Sequence, residues 1–148
     1  MSALHHSYAE LDAVTNFSFL EGGSHPAEMV SQAQYLGMSA IGIADRNTLA
    51  GVVRCHREAK RVGMRLLIGS RLVFTDGTVL VVYPRDRAAY GRLCRLLSLG
   101  KSEILGDTHG DRTIKGQCRL TFEQALDHAE GLVAIAPAPR VIDAAFAS

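Results

Sequence analysis

The sequence predicts an α/β fold, a partial (β/α) barrel with a mostly parallel sheet and one β-hairpin excursion. Strand-type and helix-type apolar patterns alternate along the chain, as they do when each strand is followed by a helical crossover. The run Ala40-Ile-Gly-Ile-Ala44 is nearly continuous in apolar character, as a strand buried on both faces of a parallel sheet requires. Thr75-Asp-Gly-Thr78, set between two β-rich runs, is a two-residue hairpin signal and predicts one antiparallel connection.

Tyr8 to Val14 alternates in polarity and reads as the first strand. Gly22-Gly23 turns the chain, Ser24 or His25 can cap, and Pro26 suits the first turn of a helix whose Met29, Val30, Ala33 and Leu36 make an apolar stripe. Gly37 closes that helix as a left-handed cap. A second helix is expected from about Thr48 to Val62, ending at Gly63, then strands from Arg65 to Phe74 and from Val79 to Tyr83. Pro84-Arg-Asp opens the next helix, which carries Ala88, Leu93, Leu96 and Leu97 and is expected to stop at Gly100. Over residues 101–116 the apolar pattern lapses, predicting an exposed, mobile loop. Thr121 and Gln124 have capping-box spacing for a helix through Ala129, Leu132 to Ala136 reads as another buried strand, and Arg140 to Phe146 as a final short helix.

A chain of 148 residues with 47% apolar and 21% charged content suits one soluble domain with its own core. The net charge of +1 leaves no global footprint for nucleic acid, so any DNA contact must come from local patches or from further parts of a longer protein. Cys55, Cys94 and Cys118 are odd in number and lack Cys-x-x-Cys spacing, which argues against a disulfide framework and for a reducing cytoplasm. No apolar stretch approaches the length of a signal or a membrane span, so no membrane partner is expected. Four or five strand–helix units fall short of the roughly 250 residues of a complete barrel. An amino-terminal piece of a larger protein, spanning residues 1–148, is the reading preferred over a small self-contained open sheet.

The segments Tyr8 to Gly22, Ile43-Ala-Asp-Arg-Asn47 and Ile68-Gly-Ser-Arg71 resemble the opening of a PHP domain, the polymerase-and-histidinol-phosphatase module. The resemblance implies three metal-ligand motifs, His-x-His, Asp-His-Gly and Gly-Cys-Glu. This sequence has Asp12 and Val14, Asp45-Arg46-Asn47 and Gly69-Ser70-Arg71 in their place. Valine has no lone pair, and arginine stays protonated and cannot ligate, so Arg46 and Arg71 would put positive charge where cations would sit. Asp12, Glu21 and Asp45 keep oxygens to offer. Pairing of Asp12 and Asp45 with Arg46 and Arg71 is favoured over ligation, with the metals lost and the arginines standing in for them.

Asn16 to Pro26, Ala44 to Arg54 and Asp86 to Leu97 resemble, more specifically, the error-prone C-family bacterial DNA polymerases of damage-induced mutagenesis. The resemblance implies a parent DNA-directed DNA polymerase using Mg²⁺ in a palm domain outside this chain. This piece would carry no cofactor or activity of its own. It would brace the remainder of the polymerase, meet DNA through it, and contact accessory mutagenesis proteins. The competing readings are a metal-dependent phosphoesterase using Asp12, Glu21 and Asp45, and a free-standing interaction module.

Arg54, Arg57, Lys60 and Arg61, with Arg65, form the densest basic cluster and share much of one helical face. A solvated face is preferred over a DNA-backbone contact because no aromatic residue is interleaved. Ser18 is expected to bond within its own turn, His25 to start a helix, and Phe17 and Phe19 to pack.

Overall fold

The computed structural model describes residues 8–106 and 117–138, apart from the side chains of 103–106. Strands β1 (Ala9–Ala13), β2 (Ala40–Arg46), β3 (Leu66–Val73), β4 (Val79–Pro84) and β5 (Leu132–Ile135) lie side by side in chain order. Helices α1 (Pro26–Tyr35), α2 (Val52–Val62), α3 (Arg87–Gly106) and α4 (Phe122–Asp127) connect them. β1, β2 and β3 are mutually parallel, whereas β3–β4 and β4–β5 are antiparallel, so the sheet is mixed and not mostly parallel. The physical reason is connection length. The short loop after Val73 can only fold back on itself, and β5 then returns beside β4.

Alternation along the strands splits the residues between two faces. Ile41 and Ile43 pack with Val30, Ala33, Cys55 and Ala59 of the two helices α1 and α2. Leu72 and Val82 pack with Leu93, Leu96 and Leu97 of α3, and with Leu120 and Ala125. On the opposite face the strands carry glycines. A Cβ at Gly69 would collide with the Tyr83 ring, as would one at Gly42, and this space lets Tyr83 cross from β4 and donate its hydroxyl to the Leu11 carbonyl at 2.5 Å. Burial, then the charges of Asp12 and Glu10, push the Tyr83 phenol well above its ordinary range.

The predicted elements largely hold, with instructive shifts. Gly37 and Gly63 take positive φ after α1 and α2. Gly100 does not end α3: a Cβ there would strike Leu120 and the Arg119 carbonyl, and the Arg119 amide donates to the Gly100 carbonyl at 2.9 Å. This glycine serves close packing, so the helix runs on through residues 101–106, where the sequence predicts a loop. α2 starts at Val52, because Asn47 takes positive φ and Thr48 forms its own turn with the Ala50 amide. β5 is an edge strand with Val133 exposed, not a buried strand. The β3–β4 loop is wider than two residues, since Val73 pairs with Val79. Residues 107–116 of the expected loop and the helix expected from Arg140 to Phe146 lie outside the described residues.

Candidate functional site

β1, β2 and β3 run the same way, so Asp12, Asp45, Arg46 and Arg71 gather toward their carboxyl ends, the edge at which barrel enzymes place their chemistry. Alternation nevertheless separates them. Asp45 shares the helix-facing side with Ile41 and Ile43, while Arg46 leaves from the opposite side with its register partner Arg71.

Asp45 is only 2% exposed. Its Oδ1 accepts from the Thr15 amide and from the Ser18 hydroxyl, each at 2.7 Å, and its Oδ2 from the Thr15 hydroxyl at 2.8 Å. Both hydroxyls also accept, Ser18 from the Arg46 amide at 2.9 Å and Thr15 from the Phe17 amide at 3.2 Å. The carboxylate therefore ties the loop after β1 to the end of β2 without a cationic partner among the described residues. The Ser18 hydroxyl acts across that join, on Asp45 and the Arg46 amide, and not within its own turn as expected. Two glycines make room. A Cβ at Gly22 would overlap the Thr15 carbonyl, and one at Gly51 would crowd Asp45 and Phe17. Burial first and the charge of Asp45 second push the Cys55 thiol up to about 11, which leaves it inert at neutral pH.

The opposite face carries two ion pairs. Arg71 Nη2 meets Asp12 Oδ2 at 2.5 Å, and Arg46 Nη1 meets Glu21 Oε1 at 2.7 Å. Asp12 thus takes one of the two arginines, Arg71. Arg46 turns to Glu21, and Asp45 takes neither. Beside them the Asp12 amide, and next the Tyr8 hydroxyl, hold the Glu10 carboxyl below its ordinary range. Val14 lines the cavity beside Glu21, Arg46 and Arg71 and offers it only methyl groups.

The histidines among the described residues join no metal-type cluster. His25 caps α1, with its ring against Asn16 at 3.0 Å and its amide donating to Glu28 at 2.9 Å. The His128 ring bonds the Gln124 carbonyl. Among the described residues no group of three His, Cys, Asp or Glu side chains converges as a metal site would need.

On α2, Arg54, Arg57, Lys60 and Arg61 are exposed. Arg61 is held by Glu58 at 2.6 Å, and Arg54 lies 5.6 Å from the centre of the Phe17 ring. That aromatic partner comes from the loop after β1, which a search for aromatics within the basic segment misses. Phe19 is 84% exposed and Leu20 89%, so Phe19 does not pack as expected. Leu20 also takes a positive φ of 64°, a conformation that such a side chain rarely adopts. Thr15, Gly51 and Tyr83 join the site without a signal in the sequence, and Gly22, which reads there as a turn, also makes room for the Thr15 carbonyl. Their roles depend on contacts between segments that are distant along the chain.

A half-barrel of β/α type with charged side chains at the carboxyl ends of its parallel strands is the class that fold and site define. The chain belongs to the PHP domain family, whose pattern matches residues 10–144. It is 52% identical to the amino-terminal region of the error-prone DNA polymerase of Bradyrhizobium diazoefficiens, over 95% of this chain, and 51% identical to that of Caulobacter vibrioides, over 94%. It spans about 12% of the length of these curated relatives. Among solved structures, a protein of Bifidobacterium adolescentis described as a metal-dependent phosphoesterase superposes with a TM-score of 0.55 at 18% identity, over 84% of this chain and 50% of that one. An amidohydrolase of Chromobacterium violaceum gives the same TM-score at 19% identity, over 68% and 35%. These two likenesses concern the fold.

Proposed function

We propose that this chain is the amino-terminal PHP part of an error-prone DNA polymerase and that it braces the polymerase instead of hydrolysing phosphoesters. The identity to polymerase relatives across nearly the whole chain supports the parentage. The parent would be a DNA-directed DNA polymerase of damage-induced mutagenesis, with its Mg²⁺ and its DNA held by the remainder of the chain. That remainder is the first partner of this domain, and accessory mutagenesis proteins are further ones.

The single observation that carries the structural role is the fate of the three carboxylates. Asp12 is bound by Arg71, Glu21 by Arg46, and Asp45 lies on the far side of the sheet with its oxygens occupied by Thr15 and Ser18. A hydrolytic metal centre needs several such groups converging with free lone pairs, and two guanidiniums oppose the cation. The donor set therefore does not fit metals.

The test is hydrolysis of p-nitrophenyl phosphate with added Mn²⁺ or Zn²⁺ and with chelator. The expected result is no metal-dependent turnover. Turnover that appears with metal and disappears with EDTA would establish the phosphoesterase in its place.

A further inference from the structure

Arg46 and Arg71 are direct register partners on β2 and β3, so both side chains leave one face of the sheet a single strand spacing apart. They line a cavity of about 460 Å³ with Glu21, Val14, Leu20 and Val73. A guanidinium offers five N–H donors, yet each of these makes one side-chain hydrogen bond among the described residues, Arg46 to Glu21 and Arg71 to Asp12. Arg71 Nε is buried and has no partner there, and Asp12 Oδ1 on the same ion pair is likewise unpartnered. A buried N–H left without a partner is unusual and shows that the hydrogen-bonding capacity of this ion pair is not exhausted.

The Arg46–Glu21 pair is the weaker of the two. Its side chains are 50% and 32% exposed, and solvated pairs of this kind contribute little. Glu21 also sits next to the strained Leu20 in the loop after β1. If Glu21 swings away, Arg46 and Arg71 face the cavity against Asp12 alone, and the local charge becomes positive.

We propose that Arg46 and Arg71 form a metal-independent site for a phosphate oxyanion, with Glu21 as its displaceable occupant. Two planar forks side by side match the several oxygens of a tetrahedral phosphate, a geometry in which arginine outperforms lysine. Asp12 stays on Arg71 and keeps the affinity modest. The inference rests on the metal-free reading of the site given above.

The test is titration of the 148-residue chain with inorganic phosphate in EDTA, followed by calorimetry or phosphorus NMR line width, with circular dichroism to confirm that each variant is folded. Wild type is expected to bind saturably. Arg46→Gln is expected to weaken binding roughly tenfold, about 1.4 kcal/mol. Glu21→Gln is expected to tighten it severalfold, because it removes the competing charge while leaving the arginines in place. A short oligonucleotide with and without a 5′-phosphate identifies the source. Preference for the phosphorylated strand assigns a nucleic-acid end, and equal weak binding of both assigns the free anion. Absence of saturable binding in both wild type and Glu21→Gln, or unchanged binding in Arg46→Gln, overturns the proposal and leaves the metal-free reading standing. Binding that appears only with added Zn²⁺ or Mn²⁺ overturns both.

Discussion

Asp45 and Glu21 are carboxylates at the same end of the sheet, and the fold treats them in opposite ways. Asp45 is buried and satisfied by neutral donors, the Thr15 amide and the Thr15 and Ser18 hydroxyls. Glu21 sits at the rim, paired with a half-exposed arginine. The difference lies in which face of the sheet each side chain reaches. A charge that is buried must be fully hydrogen-bonded or it unfolds its surroundings, whereas a charge at the rim can exchange partners at little cost. One carboxylate therefore holds the loop after β1 in place, and the other is available for exchange.

That contrast can be broken by mutation. The largest effect is expected for Asp45→Ala, which leaves three donors and the end of β2 without their acceptor. Chemical denaturation should show a loss of about 3–5 kcal/mol. Gly22→Ala comes next, at about 1–3 kcal/mol, because its Cβ would press on the Thr15 carbonyl that sets the same loop. Glu21→Gln should alter stability by less than about 1 kcal/mol. Gly23→Ala is the control for Gly22→Ala. Among the described residues nothing lies within 4 Å of a Cβ there, and the change in stability should stay within about 0.5 kcal/mol.

The smallest effect belongs to an exposed pair away from the site. Hydrogen bonds from Arg61 and then Ser31 lower the Glu58 carboxyl to about 2 from its ordinary 4.5. A folded-state value below the unfolded one means that its contribution is present above about 4.5 and is lost as pH falls toward about 2. Glu58→Gln should therefore flatten the acid limb of the stability profile in that window and leave its slope near neutrality unchanged.

Much of this fold is legible in the sequence because its signals are local. Periodicity places β1 to β4 and α1, the cap at His25 and the box at Thr121 and Gln124 follow from spacing, and the glycines at 37 and 63 end helices as expected. Gly100 misleads because a glycine needed for tight packing against Leu120 looks, in sequence, like a helix stop. The mixed sheet is legible only in part, because the hairpin after Val73 gives no sign that β5 will return antiparallel to β4. At the site, residue types tell which groups are present but not how they pair. The link from Asp45 to Ser18 spans 27 residues, and that from Arg71 to Asp12 spans 59. Strand alternation does carry one piece of this information, since adjacent residues such as Asp45 and Arg46 must face opposite ways. That rule alone sets Asp45 apart from any group of ligands gathered on the Arg46 side of the sheet.

The most direct measurement is metal content by elemental analysis of the untagged chain, after incubation with Zn²⁺ and Mn²⁺ and exhaustive dialysis. If arginine pairing has replaced metal ligation, each ion should remain far below one per chain, and Arg46→Gln should not change that. Two or more tightly held ions per chain would contradict it, since Asp12 and Glu21 would then have to leave their arginines to bind them.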